Sequence, residues 1–190
     1  MPFVLSNARA WTNIFDRVEV SGEVANPTAQ SLTSVKIVVN FFDAQNQLVT
    51  SASVFTALDV VVAGEKTCFT VVANPPAGWT RYAFEPPTYR TTTDGAPPVT
   101  LVASRGAISD TDDYRVVGQL QNAATIRVRF AQAIATLYDA RGDVVQCGAA
   151  FVGSTDLEPG QTSAFQIDFF SKPSYQDVTT FRVQTDGRTR

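Results

Sequence analysis

The amino-acid sequence predicts an all-β chain made of two tandem antiparallel β-sandwich domains, and three observations carry that prediction. The first is a repeat. Gly22 and Gly118, Asn26 and Asn122, Asp43 and Asp139, Val49 and Val145, Gly64 and Gly160, and Phe69 and Phe165 each differ by 96 (118 − 22, 122 − 26 and so on). Pro2 and Pro98, Arg9 and Arg105, Asp16 and Asp112, and Phe55 and Phe151 keep the same spacing. The second is an apolar/polar alternation with a period of two, the pattern of a half-buried strand. The third is the lack of any segment with helical periodicity. A unit of 96 residues is longer than the roughly 20–50 residues of a solenoid repeat and has the size of a small sandwich.

Taken in order, the first clear strand is VEVSGEV. Val18, Val20 and Val24 share one face with Gly22, and Glu19, Ser21 and Glu23 share the other. Its counterpart places Tyr114, Val116 and Leu120 inward around Gly118. A glycine on an inner face marks a bulge or a close approach of another group. Each strand stops at an asparagine, Asn26 before Pro27 and Asn122 before Ala123, where turn chemistry takes over. VKIVVNFFD and AQAIATLYD follow, with Val35, Ile37, Val39 and Phe41, or Ala131, Ala133, Ala135 and Leu137, on the core side. Asp43 and Asp139 open the next turns, where a carboxylate accepts backbone amides just ahead. Leu48 and Val49, or Val144 and Val145, resume the hairpin. Gly64 and Gly160 then precede polar stretches leading to inward Phe69 and Phe165, and WTRYAFE and DVTTFRVQ close the two copies. The expectation is six or seven short strands per copy.

The seam falls in EPPTYRTTTDGAPP, residues 85–98, which holds four prolines and a threonine run. Such composition favours a short, semi-stiff spacer. The expected boundaries are a first domain over 1–88, a linker over 89–97 and a second domain over 98–190.

These signals resemble the FxLYD domain, a small immunoglobulin-like sandwich found mainly in bacterial extracytoplasmic proteins. The strand motif is Val20-Ser21-Gly22-Glu23-Val24-Ala25-Asn26 and Val116-Val117-Gly118-Gln119-Leu120-Gln121-Asn122. The aromatic-Asp strand end is Phe42-Asp43 and Tyr138-Asp139, and the glycine-led turn is Gly64-Glu65 with Phe69 and Gly160-Gln161 with Phe165. The resemblance spans about residues 15–84 and 111–183 and departs at the leading Phe, here Val39 and Ala135. It implies an extracytoplasmic setting, at the cell surface or in the periplasm, and supplies no catalytic residues. No signal peptide is visible at the N-terminus, so the chain reads either as cytoplasmic or as one from which a signal or anchor has been removed.

Composition narrows the function classes. Of 190 residues 44% are apolar and 17% charged, enough for a packed core, and the net charge is −3 with a pI near 4.9. Such mild acidity argues against non-specific nucleic-acid binding, and no run reaches the roughly 20 apolar residues that cross a bilayer. There is no histidine, which rules out Ser-His-Asp and Cys-His machinery, and nucleotide-binding glycine motifs are missing. No cofactor is expected. Cys68 and Cys147 fall in different copies. No bridge can form within one copy, a bridge between copies stays open, and both read as small apolar fillers.

Several residues tempt a functional reading. Asp110, Asp112 and Asp113 could ligate calcium, but the cluster lacks the glycine and terminal glutamate of a calcium loop and reads as a polar turn. Asp43 and Asp139 read as turn caps. Trp79 and Tyr175 sit 96 apart (175 − 79) before the last strand, and an exposed aromatic pair there could bind sugar or protein. Asp168-Phe169-Phe170 holds successive aromatics, so one ring, Phe170, should leave the core. The leading expectation is a non-catalytic structural or interaction module with protein partners or self-assembly. The alternative is a glycan-binding module using exposed aromatics, with a carboxylate-only enzyme third.

Overall fold

The computed structural model describes residues 4–74, 78–154 and 156–189, and no helix occurs among them. Two compact units are present, Met1–Asp94 and Gly95–Arg190. The first holds β1 (Val4–Thr12), β2 (Val18–Ala25), β3 (Ser31–Asp43), β4 (Leu48–Phe55), β5 (Val60–Val61), β6 (Lys66–Ala73), β7 (Trp79–Phe84) and β8 (Thr88–Thr92). The second holds β9 (Val99–Ile108), β10 (Tyr114–Asn122), β11 (Arg129–Tyr138), β12 (Val144–Phe151), β13 (Thr162–Phe169) and β14 (Thr180–Arg188).

Each unit is a pair of antiparallel sheets. In the first, β1-β2-β6 faces a sheet in which β3 pairs β4 and β5 along one edge and β7 and β8 along the other. In the second, β9-β10-β13 faces β12-β11-β14, and an isolated bridge, Val128 to Leu157, stands where β5 pairs β3. Val18, Val20, Val24, Val35, Ile37, Val39, Phe41 and Phe69 fill the first interior. Tyr114, Val116, Leu120, Ala131, Ala133, Ala135, Leu137 and Phe165 fill the second. Burial of an aliphatic or aromatic side chain of this kind is worth about 1.5–3 kcal/mol, which drives both sandwiches.

The motifs 96 residues apart do the same physical work in each unit. Gly22 pairs with Phe69 and Gly118 with Phe165 in the β2–β6 and β10–β13 registers. A Cβ on Gly22 would lie 2.8 Å from the Phe69 ring, and one on Gly118 would lie 2.7 Å from the Phe165 ring and against the Ala103 carbonyl oxygen. The glycines are there because the neighbouring aromatic ring occupies the side-chain space. Asn26 and Asn122 are fully buried. Asn26 Nδ2 donates to the carbonyls of Gln30 and Val61 at 2.8 and 2.9 Å, and Asn122 Nδ2 donates to those of Ile126 and Leu157, both at 2.8 Å. Their Oδ1 atoms accept the amides of Thr28 and Ala124. These asparagines therefore tie three chain segments together beyond ending a strand. Gly64 and Gly160 take φ of 77° and 75°, a left-handed turn that favours glycine.

Three expectations need correction. Residues 89–92 of the expected linker lie in β8, because threonine and tyrosine are good strand formers and Pro86-Pro87 only interrupts the line that β7 and β8 make along β3. The units meet instead between Asp94 and Gly95. Among the described residues the second unit has six strands, within the expected six or seven, but the first has eight, since that proline pair splits one strand line and a two-residue β5 adds another. The last strand also breaks the 96-residue spacing: Phe41 pairs Tyr82 while Leu137 pairs Phe181, so the offset there is 99 (181 − 82). Three extra residues in the loop before β14 are responsible.

Candidate functional site

The alternation in β2 predicts an exposed outer face, but Glu19, Ser21 and Glu23 are buried. Each finds a partner. Asn13 Nδ2 donates to Glu19 at 2.7 Å, Ser21 shares a hydrogen bond with Thr70 at 2.6 Å, and Lys66 Nζ lies 2.7 Å from Glu23. Paired charges tolerate burial where isolated ones do not. The corresponding face of β10 is different. Arg115 and Gln119 are exposed and Val117 is half-buried.

That open face holds a groove of about 790 Å³, a size common to ligand and loop-binding clefts, formed by β9, β10, β13 and the end of β12. Gly118 and Phe165 lie side by side in register and Phe165 turns its ring inward, so they present backbone to the groove. Strand alternation directs their neighbours Val117, Gln119, Ala164 and Gln166 outward. Phe151, 56% exposed, supplies an aromatic wall. Arg105 is the only charged side chain among the lining residues. Nearby, Arg115 is already neutralised by Asp168 at 2.5 Å, and Gln166 donates to the same carboxylate at 2.8 Å. The Gln166 bond holds the Asp168 carboxyl below its usual range against the opposing effect of burial, with Arg115 adding to it.

The residues singled out from sequence fare differently. Phe170 is 52% exposed while Phe169 is buried, so one ring of the pair does leave the core. Tyr175 is fully buried. Its hydroxyl donates to Gln146 Oε1, whose amide donates in turn to Ser171 at 2.7 Å. It pins the enlarged loop before β14 and offers no binding surface. Trp79 is half-buried and meets Phe41 edge-on at 5.3 Å. The shift to an offset of 99 also removes the equivalence of Trp79 and Tyr175. Tyr175 is therefore unavailable as one half of an exposed aromatic pair, while Trp79 stays partly accessible.

Asp43 Oδ1 accepts the amides of Gln45 and Gln47 at 2.9 and 2.8 Å, and Asp139 Oδ1 those of Arg141 and Asp143 at 2.9 and 3.0 Å. Both are turn caps. Burial works against ionisation of Asp139, yet the amides of Asp143 and Arg141 and the Arg141 guanidinium hold its carboxyl below the usual range. In the acidic turn, Thr111 donates to Asp113 and Gln176 to Asp112, and among the described residues no three potential metal ligands converge. Cys68 and Cys147 are disulfide-bonded and not free thiols. The filler reading weighed only their small apolar character, which Cys68, fully buried, still shows.

Sequence reasoning missed Phe151, Val117 and Arg105 as a site. A signal was present: Phe55 and Phe151 end equivalent strands and are 60% and 56% exposed, a repeated aromatic where a core residue would be hidden. No family model and no curated protein matches the chain. Among solved structures it is similar to red sea bream transglutaminase, at 10% identity and a TM-score of 0.31, covering 98% of this chain and 29% of that one. It is also similar to an exo-chitosanase from Amycolatopsis orientalis, at 11% identity and a TM-score of 0.34, covering 98% of this chain and 25% of that one. The chain thus spans under a third of either protein.

Proposed function

We propose that this chain is a non-catalytic protein-interaction module, a duplicated pair of FxLYD-type sandwiches, whose working surface is the groove over β10 and β13. The observation that carries this reading is the groove itself. It combines Val117, Ala164 and Phe151 with amide side chains and one cation, the mixture of apolar centre and polar rim that protein interfaces use. A chain without histidine has few routes to acid–base chemistry at neutral pH, which favours recognition over catalysis. The disulfide-bonded cysteines suit an oxidising compartment, so we place the module at a bacterial surface, in the periplasm or in an extracellular assembly.

Photo-crosslinking tests the reading. A benzophenone amino acid in place of Gln119 or Gln166 should give discrete protein adducts in the producing cell, and the same group in place of Thr50 on β4 should not. Adducts no stronger from the groove than from Thr50 would remove the groove from consideration.

A further inference from the structure

The turn between β1 and β2 and the turn between β9 and β10 have one backbone and two different tips. Asn13 donates its amide to the Arg17 carbonyl at 2.8 Å and Asp16 donates to that of Asn13 at 3.1 Å; Ser109 does the same to Asp113 at 2.8 Å and Asp112 to Ser109 at 3.1 Å. Asp16 and Asp112 both sit at positive φ, 57° and 60°. The first tip is Ile14-Phe15-Asp16, whereas the second is Asp110-Thr111-Asp112. Ile14 and Phe15 are 52% and 58% exposed, and the Asn13 side chain locks the tip by accepting the amides of Phe15 and Arg17, both at 2.9 Å. Two adjacent apolar side chains held at the tip of an ordered turn form a small contiguous apolar patch of the kind that marks interaction sites. A locked tip also loses little entropy on docking.

The groove is the matching feature, and the equivalent residues of the first unit do not line an open face. At the positions 96 residues earlier, Ser21, Glu23 and Cys68 are buried. Charge completes the match. Arg105 and Asp16 are exposed, and among the described residues no hydrogen bond or ion pair engages either side chain. We propose that the groove of one copy receives the Ile14-Phe15-Asp16 tip of a second copy, with Phe15 against Val117 and Phe151 and Asp16 meeting Arg105. This rests on the groove being the interaction surface and names its partner. Tip and groove are different surfaces, so the contact is heterologous and joins copies head to tail into rings or open chains.

Sedimentation velocity on the purified full chain tests it. The wild type should show species larger than a monomer that grow with concentration. Phe15→Ser and Val117→Asp should each weaken association at least tenfold, and Arg17→Ala should leave it unchanged. Arg105→Glu should weaken it, and adding Asp16→Arg in the same chain should restore it. Phe15, Asp16, Arg17 and Arg105 are exposed and Val117 is half-buried, and a retained cooperative melting transition verifies folding of each variant. Mixing the Phe15→Ser chain with the Val117→Asp chain should yield a complex that stops at one copy of each, since only one good tip and one good groove remain. A wild type still monomeric at about 1 mM, assembly indifferent to Phe15→Ser, or a mixture without the one-to-one complex overturns the proposal. Groove crosslinks to a different protein, with the purified chain monomeric, would end self-association and leave the interaction reading standing. Failure of both experiments would end both.

Discussion

The two sandwiches have equivalent, separate interiors and differ in what they show to solvent. Gly22 and Gly118 accommodate aromatic rings, Asn26 and Asn122 hold the same carbonyls, and Asp43 and Asp139 cap the same turn. Outside the two cores, buried Ser21 and Glu23 correspond to half-buried Val117 and exposed Gln119, Ile14-Phe15 to Asp110-Thr111, and Ser34 to Phe130. An interior position must satisfy fixed neighbours, so its residue type repeats. A position outside the core is free of that constraint, and there the residue types of the two units diverge.

The comparison can be broken at its strongest point with the buried asparagines. Replacing Asn26 or Asn122 by Ala removes two donated hydrogen bonds, of which those to Val61 and Leu157 are buried, and one accepted from a backbone amide, so each change should cost about 3 kcal/mol in denaturant unfolding. Nearly equal losses are expected; a loss at one site alone would show that the shared geometry is not shared energetics. The glycines should sharpen the contrast. Gly118→Ala drives a Cβ into the Ala103 carbonyl as well as the Phe165 ring, whereas Gly22→Ala meets the Phe69 ring and the Ala8 side chain. Overpacking costs about 1–3 kcal/mol, and calorimetry should place Gly118→Ala at the upper end and Gly22→Ala below it.

Asp139 provides a smaller, pH-dependent effect. Asp139→Ala should cost about 1 kcal/mol, as for other lost caps, and more than Asp43→Ala, because Asp139 is more buried and also accepts from the Arg141 guanidinium at 3.3 Å. Its folded-state pKa is depressed. The resulting stability is therefore fully present above the unfolded carboxyl value of about 3.9 and is lost as pH falls through the lower folded value. The melting-temperature gap between wild type and Asp139→Asn should shrink as pH drops from about 6 to about 2; a constant gap would contradict the assignment. The smallest effect has the opposite sign. Ser34 and Phe130 both take φ of 53°, which disfavours a bulky side chain. Phe130→Gly should stabilise the second unit by about 0.5–1 kcal/mol, and Ser34→Gly by less.

Much of the interior was legible from residue order alone. Valines at 18, 20 and 24 with a glycine between them, Asp43 and Asp139 at strand ends, and Gly64 and Gly160 before their strands all express constraints local to a few residues, and local constraints leave local patterns. The proposed interaction surface was harder to read. Tyr175 looked like a partner of Trp79 until the register showed three inserted residues, because counting along a chain cannot reveal where a loop has grown. Phe15 and Arg105 are remote in sequence and individually unremarkable, so nothing in the order of residues joins them.

By itself the sequence determined the fold class, the two-unit division and the identity of the capping and glycine positions, since strand period and turn chemistry operate over short range. Only the tertiary structure decided which outer faces are open. Polarity marks a strand's solvent side only when its charges lack partners, and Glu19 and Glu23 have partners whereas Val117 lies in a groove. Exposure depends on what lies across the fold, and that information is carried by no single stretch of chain.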